Sequence, residues 1–314
     1  MTRQDPDRPV PADSGTPPVQ RGIFAGRIIG RIGYGAMQLA APATGTSEER
    51  DRAIDVLQTA VEHGVDHIDT AAFYGAGAAN ALIRAALAPY RDDLLLATKV
   101  GCRWDAQAGA LVPAQQPQEL RAAVEDNLRS LGVDRLDLVN LRRMDSGRLV
   151  ATGDQVVSLD DQLAELIGLR EEGKVAALGI SQVDIHLVQR ALPAGIVGVQ
   201  NLYNVLDRSH EPIERLCGDS GIAFVPYFPL GSGVSHLPRV TENATVVAIA
   251  AQREVTPAQV AIAWLLARGP HVFPIPGTRT TTHLLQNLAA GSVELQAPDL
   301  AALNQLASQP DHAE

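Results

Sequence analysis

From Arg31 onward, short apolar runs alternate with longer stretches whose apolar positions return every three or four residues. The runs at 31–37, 66–69, 94–99, 136–141, 177–180, 196–200, 222–227 and 271–275 predict eight strands. The stretches SEERDRAIDVLQTAVEH (47–63), PQELRAAVEDNLRSL (117–131) and DDQLAELIGLREEGK (160–174) predict amphipathic helices. In the second, Leu120, Val124, Leu128 and Leu131 share the apolar face, with Asn127 and Arg129 placed off it. Gly64, Gly132 and Gly173 stand where a left-handed residue ends a helix.

Strict alternation of strands and helices requires parallel strands with right-handed crossovers. Eight units over roughly 250 residues fit a closed barrel better than an open sheet. The expected class is therefore α/β, a single (β/α)8 TIM barrel over 22–314, opened by a hairpin in GIFAGRIIG (22–30). An open sheet is the alternative, and a dinucleotide-binding sheet lacks its G-x-G-x-x-G turn here. Residues 1–21 carry Pro6, Pro9, Pro11, Pro17 and Pro18 among small polar residues without an apolar period, which predicts a disordered arm.

Apolar residues make up 46% of the 314, enough for a large core. Lys and Arg number 26 against 36 Asp and Glu, and a net charge of −10 argues against nucleic acid or an anionic membrane as partner. Neither a membrane-length apolar run nor a leader pattern is present, so a cytoplasmic location is expected. Cys102 and Cys217 have no zinc spacing and are too few for a disulfide framework. Cys217 is read as core. Cys102, three residues after Lys99, is placed beside the site without a base to activate it. The histidines offer no metal spacing; His67, in phase with Asp69, is read as a satisfied core residue. Oligomeric state is not legible.

Polar residues at the C-terminal ends of barrel strands are the candidates for chemistry. Asp69, Lys99, Arg142, Ser181, Gln200 and Tyr227 hold such positions. Singly, Asp69 reads as a turn former, Tyr74 as a rim residue and Lys99 as a solvated strand end. Together, on adjacent strands with Gly75 and Gly101 opening the next loops, they can form a proton relay. A buried ammonium stabilises a phenolate, so Lys99 is expected to draw the Tyr74 pKa toward neutrality, and Asp69 to keep Lys99 charged. Tyr74 would then serve as general acid.

The segments DTAAFYG (69–75), ATKVG (97–101), GIS (179–181), VQNLYN (199–204), FPLG (228–231) and IPGT (275–278), with Asn287 beyond, resemble the aldo-keto reductases in order and spacing over about residues 25–310. GYGAMQL (33–39) and VNLR (139–142) narrow the likeness to the bacterial pyridoxal reductase-like branch. The resemblance implies a (β/α)8 barrel that binds NADPH and reduces an aldehyde or ketone, pyridoxal or a similar aromatic aldehyde first among them. A tailoring ketoreductase of secondary metabolism and an NADPH-binding regulatory subunit with little turnover are the alternatives.

By the same resemblance Asp69, Tyr74 and Lys99 match three members of a catalytic tetrad. Arg142 stands where the family usually has histidine. A guanidinium does not shuttle protons near neutral pH, but it can stabilise the developing oxyanion. The competing reading turns Arg142 away into an ion pair with Asp145 or Asp137, and whether Arg142 or Arg143 faces inward stays open. The resemblance further implies that Tyr227 stacks under the nicotinamide and that Ser181, Gln182 and Gln200 hold its carboxamide, Gln182 replacing a usual asparagine. Leu230 and Gly231 would approach the pyrophosphate. Thr278 and Arg279 sit on the eighth βα turn, the common barrel site for phosphate. With Gly277 replacing a frequent lysine, Arg279 and, more weakly, His283 would take the 2′-phosphate, and Gln286 and Asn287 would contact adenine. Met37, Phe73, Trp104, Phe228 and the loop 102–116 would wall the substrate.

Overall fold

The structure is a computed structural model and describes residues 20–40, 46–147, 149–231 and 238–306. Strands β1 (Arg21–Phe24) and β2 (Arg27–Gly30) pair antiparallel around Ala25 and Gly26, both with positive φ, the turn a tight hairpin needs. This hairpin floors the barrel. Phe24 and Ile29 enter the interior with Leu95, Ala97, Leu138, Val225 and Phe273. Arg21–Asp66 (2.9 Å) and Arg27–Asp137 (2.6 Å) ion pairs tie the floor to the strand starts. The expected disordered arm lies outside the described residues up to position 19, and the hairpin begins at Arg21.

The barrel continues with β3 (Tyr34–Gly35), β4 (His67–Asp69) and β5 (Leu95–Val100). A second hairpin follows, β6 (Cys102–Asp105) with β7 (Ala110–Pro113), where the sequence predicts only a loop. Then come β8 (Leu136–Arg142), β9 (Val175–Ser181), β10 (Gly198–Leu202) and β11 (Ala223–Tyr227). The parallel sheet runs in the order β3-β4-β5-β8-β9-β10-β11. Helices α1 (Ser47–Glu62), α2 (Ala78–Leu87), α3 (Pro117–Leu131), α4 (Leu159–Glu171), α5 (Ile185–Ala191) and α6 (Glu211–Asp219) form the outer crossovers, and α7 (Ala244–Gln252) and α8 (Pro257–Ala267) follow β11. After the closing segment come α9 (Thr281–Ala289) and α10 (Ala297–Asn304).

The first and last predicted strands are much reduced. After Gly35 the chain turns into a 3-10 helix over Ala36–Ala40. The eighth predicted strand is an extended segment that closes the barrel without a full ladder. On one side Phe224 N–H donates to His271 O (2.8 Å) and Phe273 N–H to Phe224 O (2.9 Å). On the other, Gly33 and Gly35 N–H donate to the carbonyls of Pro274 and Pro276. Those prolines have no N–H to return, so the ladder stays half made. At this seam a Cβ on Gly35 would stand 2.6 Å from Ile275 O, and one on Gly277 2.5 Å from Gly35 O. Gly277 is thus required by backbone contact, which accounts for the missing lysine.

Helix α3 begins and ends as predicted, but its buried face is Leu120, Val124, Asn127 and Leu131. Contrary to expectation Asn127 belongs to this face, because the spacing of four, three and four residues puts it on the stripe and leaves Leu128 at the edge.

Candidate active site

Inward-facing positions along the strands fall into a regular alternation, and at the C-terminal ends they turn polar. Asp69 aligns with Ala97, Lys99 with Asn140, and Arg142 with Ser181, which in turn pairs with Gln200. Lys99 Nζ donates to Asp69 Oδ1 and to Thr70 O (3.1 Å), and lies 5.0 Å from the Tyr74 ring centroid. The other Asp69 oxygen accepts from Gln200 Nε2 (2.8 Å). Asp69 and Lys99 are buried, so the pair is held in a low-dielectric site where each charge requires the other.

The outward neighbours of these residues hold them in place. Thr70 Oγ1 donates to Asn80 Oδ1 (2.8 Å), Asn80 Nδ2 donates to Asn127 Oδ1 (3.1 Å), and Thr98 Oγ1 donates to Asn127 Oδ1 (2.7 Å). A closed buried network thereby clamps the strand ends that carry Asp69 and Lys99 against α2 and α3. Its signal in the sequence is the parity of Thr70 and Thr98, which places them on the helix side of the sheet. Tyr74 opens a short turn in which Gly75, Ala76 and Gly77 all have positive φ. A side chain at Gly75 would meet Ala40 O at 2.7 Å, so the turn after the phenol needs glycine.

Burial raises the Tyr74 pKa above its ordinary 10, against the charge and hydrogen-bonding pull of Lys99. This reverses the expected direction. Asp69 largely neutralises the ammonium, so desolvation of the phenolate dominates and the phenol stays protonated at neutral pH. Lys99 is raised too: the pull of Asp69 and Tyr74 overcomes burial, which by itself would lower it.

Arg142 faces the site and Arg143 does not. The Arg142 guanidinium stands 5.9 Å over the Phe73 ring, and its Nε donates to Gln182 Oε1 (3.1 Å). Arg143 is buried on the helix side, bidentate to Asp145 (2.7 and 2.6 Å). Asp137 is held by Arg27. Both acids proposed to draw Arg142 away therefore have other partners.

Of the expected cofactor residues, Ser181 is buried at the end of β9, Gln200 is buried against Asp69, and Tyr227 ends β11 with its ring edge-on to Phe228 (5.3 Å). Gln200 Oε1 is buried and has no hydrogen-bond partner among the described residues. Gln182 is committed to Arg142 and, through Nε2, to Ser146 O (2.8 Å). Gly231 has φ 75°, and a Cβ there would collide with Pro238 O at 2.0 Å, so the chain's own loop requires this glycine. Leu230 is half-buried, packed against Ile32 and Ile262. Thr278 is buried beneath the start of α9. Arg279 and His283 are exposed there, Gln286 is half-buried and Asn287 buried. On the substrate side Phe73 is buried with Ala71, Cys102 and Met144, Leu111 and Leu149 packing against them. Met37 and Phe228 are half-buried and Trp104 is exposed on β6. Met144 and Leu149 escaped the sequence analysis because they lie in an irregular loop without a period.

The Cys102 thiol is pushed up to about 11 by burial, which removes it as a nucleophile, and burial likewise raises Cys217 to about 12. His67 lies inside the barrel edge-on to Phe24 (5.2 Å), with Nδ1 lacking a hydrogen-bond partner among the described residues. It is a core residue but an unsatisfied one. Burial lowers its pKa from 6.5 to about 4. The unfolded chain thus binds more protons between these values, and the stability contributed by neutral His67 is complete above pH 6.5 and lost as pH falls toward 4. The expected loss is on the order of 3 kcal/mol. His67→Leu should flatten the fall in Tm between about pH 7 and 4.5. An unchanged slope would clear His67 of that role.

The aldo/keto reductase family profile matches residues 31–308. Pyridoxine 4-dehydrogenase of Escherichia coli (strain K12) is 44% identical over 279 residues, covering 88% of this chain and 94% of that protein. An uncharacterized oxidoreductase of Schizosaccharomyces pombe is 31% identical over 294 residues, 90% of this chain and 89% of its own. Among solved structures, an aldo-keto reductase from Klebsiella pneumoniae in complex with NADPH is 25% identical with a TM-score of 0.76, covering 94% of this chain and 97% of that one.

Proposed function

The chain belongs to the aldo/keto reductase family, and we propose that it reduces the aldehyde of pyridoxal, or of an aromatic aldehyde of similar size, to the alcohol with NADPH as reductant. The observation that carries this reading is the cluster of buried Asp69 and Lys99 with half-buried Tyr74 at the barrel mouth, a protonated phenol against a charged ammonium.

The residues present suit a nicotinamide. Gln200 Oε1, buried and without a hydrogen-bond partner among the described residues, is an acceptor in want of a donor, which a carboxamide N–H2 provides. Tyr227 offers a flat ring at the end of the adjacent strand β11, and the bound cofactor supplies the hydride. Tyr74 gives its proton to the carbonyl oxygen, Lys99 stabilises the phenolate left behind, and Asp69 keeps Lys99 charged. The Arg142 guanidinium adds a fixed positive charge for the oxyanion. That orientation tells against a regulatory subunit without turnover, for which Arg142 was the supporting feature.

Loss of reduced-nicotinamide absorbance with pyridoxal, set against a panel of aldehydes and ketones, tests the assignment. Turnover of ketones alone would favour the tailoring ketoreductase, and tight NADPH binding without turnover the regulatory subunit. Arg279 is exposed at the α9 entrance and has no ion-pair partner among the described residues. Arg279→Ala should raise KM for NADPH about tenfold or more while leaving KM for NADH within about twofold. Equal losses for both would exclude a 2′-phosphate contact.

A further inference from the structure

The two departures at the site from the usual aldo-keto reductase pattern, Arg142 for histidine and Gln182 for asparagine, are hydrogen-bonded to each other. Gln182 Oε1 accepts from Arg142 Nε at 3.1 Å, and Gln182 Nε2 donates to Ser146 O at 2.8 Å, so both ends of the amide are engaged. Gln182 holds this place from a left-handed backbone (φ 57°), a conformation that a long side chain adopts only when its surroundings enforce it. Its own N–H is fixed to Gln200 O (3.1 Å). The Arg142 main chain is held as well, its carbonyl accepting from Gln115 Nε2 (3.0 Å).

This arrangement leaves the far edge of the guanidinium without an oxygen partner among the described residues. Nε is spent on Gln182, and among the described residues the terminal nitrogens have no hydrogen bond to an oxygen. The thiol of Cys102 lies against the guanidinium. Asp145 and Asp137 belong to Arg143 and Arg27, so no carboxylate neutralises Arg142 among the described residues. A guanidinium edge presents two parallel N–H groups to two oxygens, preferably anionic. A lone carbonyl oxygen engages one and leaves the other beside the apolar Phe73 ring.

We infer that Arg142, oriented by Gln182, is a two-oxygen receptor selecting aromatic aldehydes with an ionisable hydroxyl on the carbon next to the carbonyl-bearing one. Such a compound offers a carbonyl oxygen and a phenolate oxygen side by side in one plane, matching the fork. Pyridoxal belongs to this class, and the inference rests on the proposed reductase function. Arg142 touches the substrate, whereas Gln182 is a positioning residue.

The test compares kcat/KM for 2-hydroxybenzaldehyde, 4-hydroxybenzaldehyde and 2-methoxybenzaldehyde with NADPH, just above the pKa of the two free phenols. In the wild type the 2-hydroxy compound is preferred over both others by about tenfold or more, and Arg142→Met collapses that ratio to within about twofold of unity. Gln182→Leu lowers the ratio at least about threefold, and Gln182→Glu, which sets a carboxylate on Nε and neutralises the guanidinium, lowers it as well. Because each variant is its own reference, partial unfolding or altered cofactor binding cannot shift the ratio. A preference absent in the wild type, or untouched in Arg142→Met, overturns the receptor while leaving the reductase reading intact. Failure of the wild type to reduce any of the three, or pyridoxal, brings down both.

Discussion

Tyr74→Phe is expected to lower kcat for aldehyde reduction by about a hundredfold to ten-thousandfold, the range for loss of a positioned general acid. The dissociation constant for NADPH should stay within about twofold, because the ring that remains still packs edge-on to Phe73 (5.2 Å). Lys99 is placed against that ring and keeps its ion pair with Asp69, so the charge balance of the pocket is preserved. The pH dependence follows from the raised Tyr74 pKa. Reduction needs the protonated phenol, which is present below that pKa and lost only above the ordinary phenol value of 10. His67 titrates near 4 and Cys102 near 11, so neither gives a step in between. The rate on an aldehyde that does not itself ionise should therefore be level from about pH 6 to 9, where a histidine in place of Arg142 would titrate. Retention of more than about a tenth of wild-type kcat in Tyr74→Phe would refute the assigned proton donor.

Lys99→Met removes the charge that makes burial of Asp69 tolerable. Breaking a buried ion pair from one side costs roughly 3–5 kcal/mol, since the remaining carboxylate is left, among the described residues, with only the Gln200 amide as partner. Activity should fall by at least about a hundredfold, because the phenolate formed after proton transfer loses its stabilising cation. Adding Asp69→Asn should restore much of the stability and none of the activity. That split separates the two roles, which Tm and kcat report independently. A double variant no more stable than Lys99→Met would mean that the pair is not the source of the loss.

Helix α3, the glycine caps and the strand ends at Asp69, Lys99 and Tyr227 could be read from the chain because they depend on local rules: a 3.6-residue period, left-handed glycine and the direction of parallel strands. Asn127 was legible too, had its place on the stripe been given more weight than its polarity. The eighth strand was overestimated because an apolar run does not reveal how Pro274 and Pro276 limit pairing. Met144, Leu149 and the β6–β7 hairpin reach the pocket through irregular chain that carries no period.

By itself the sequence determined the barrel, the inward parity of the polar strand ends and the acid, amine and phenol that meet there, since each follows from spacing within one element. Only the tertiary structure decided the sign of the Tyr74 shift, the choice of Arg142 over Arg143 and the bond from Arg142 to Gln182. These depend on how much water, and which countercharge, is left around a group once distant strands have closed on it, and chain order holds no record of that.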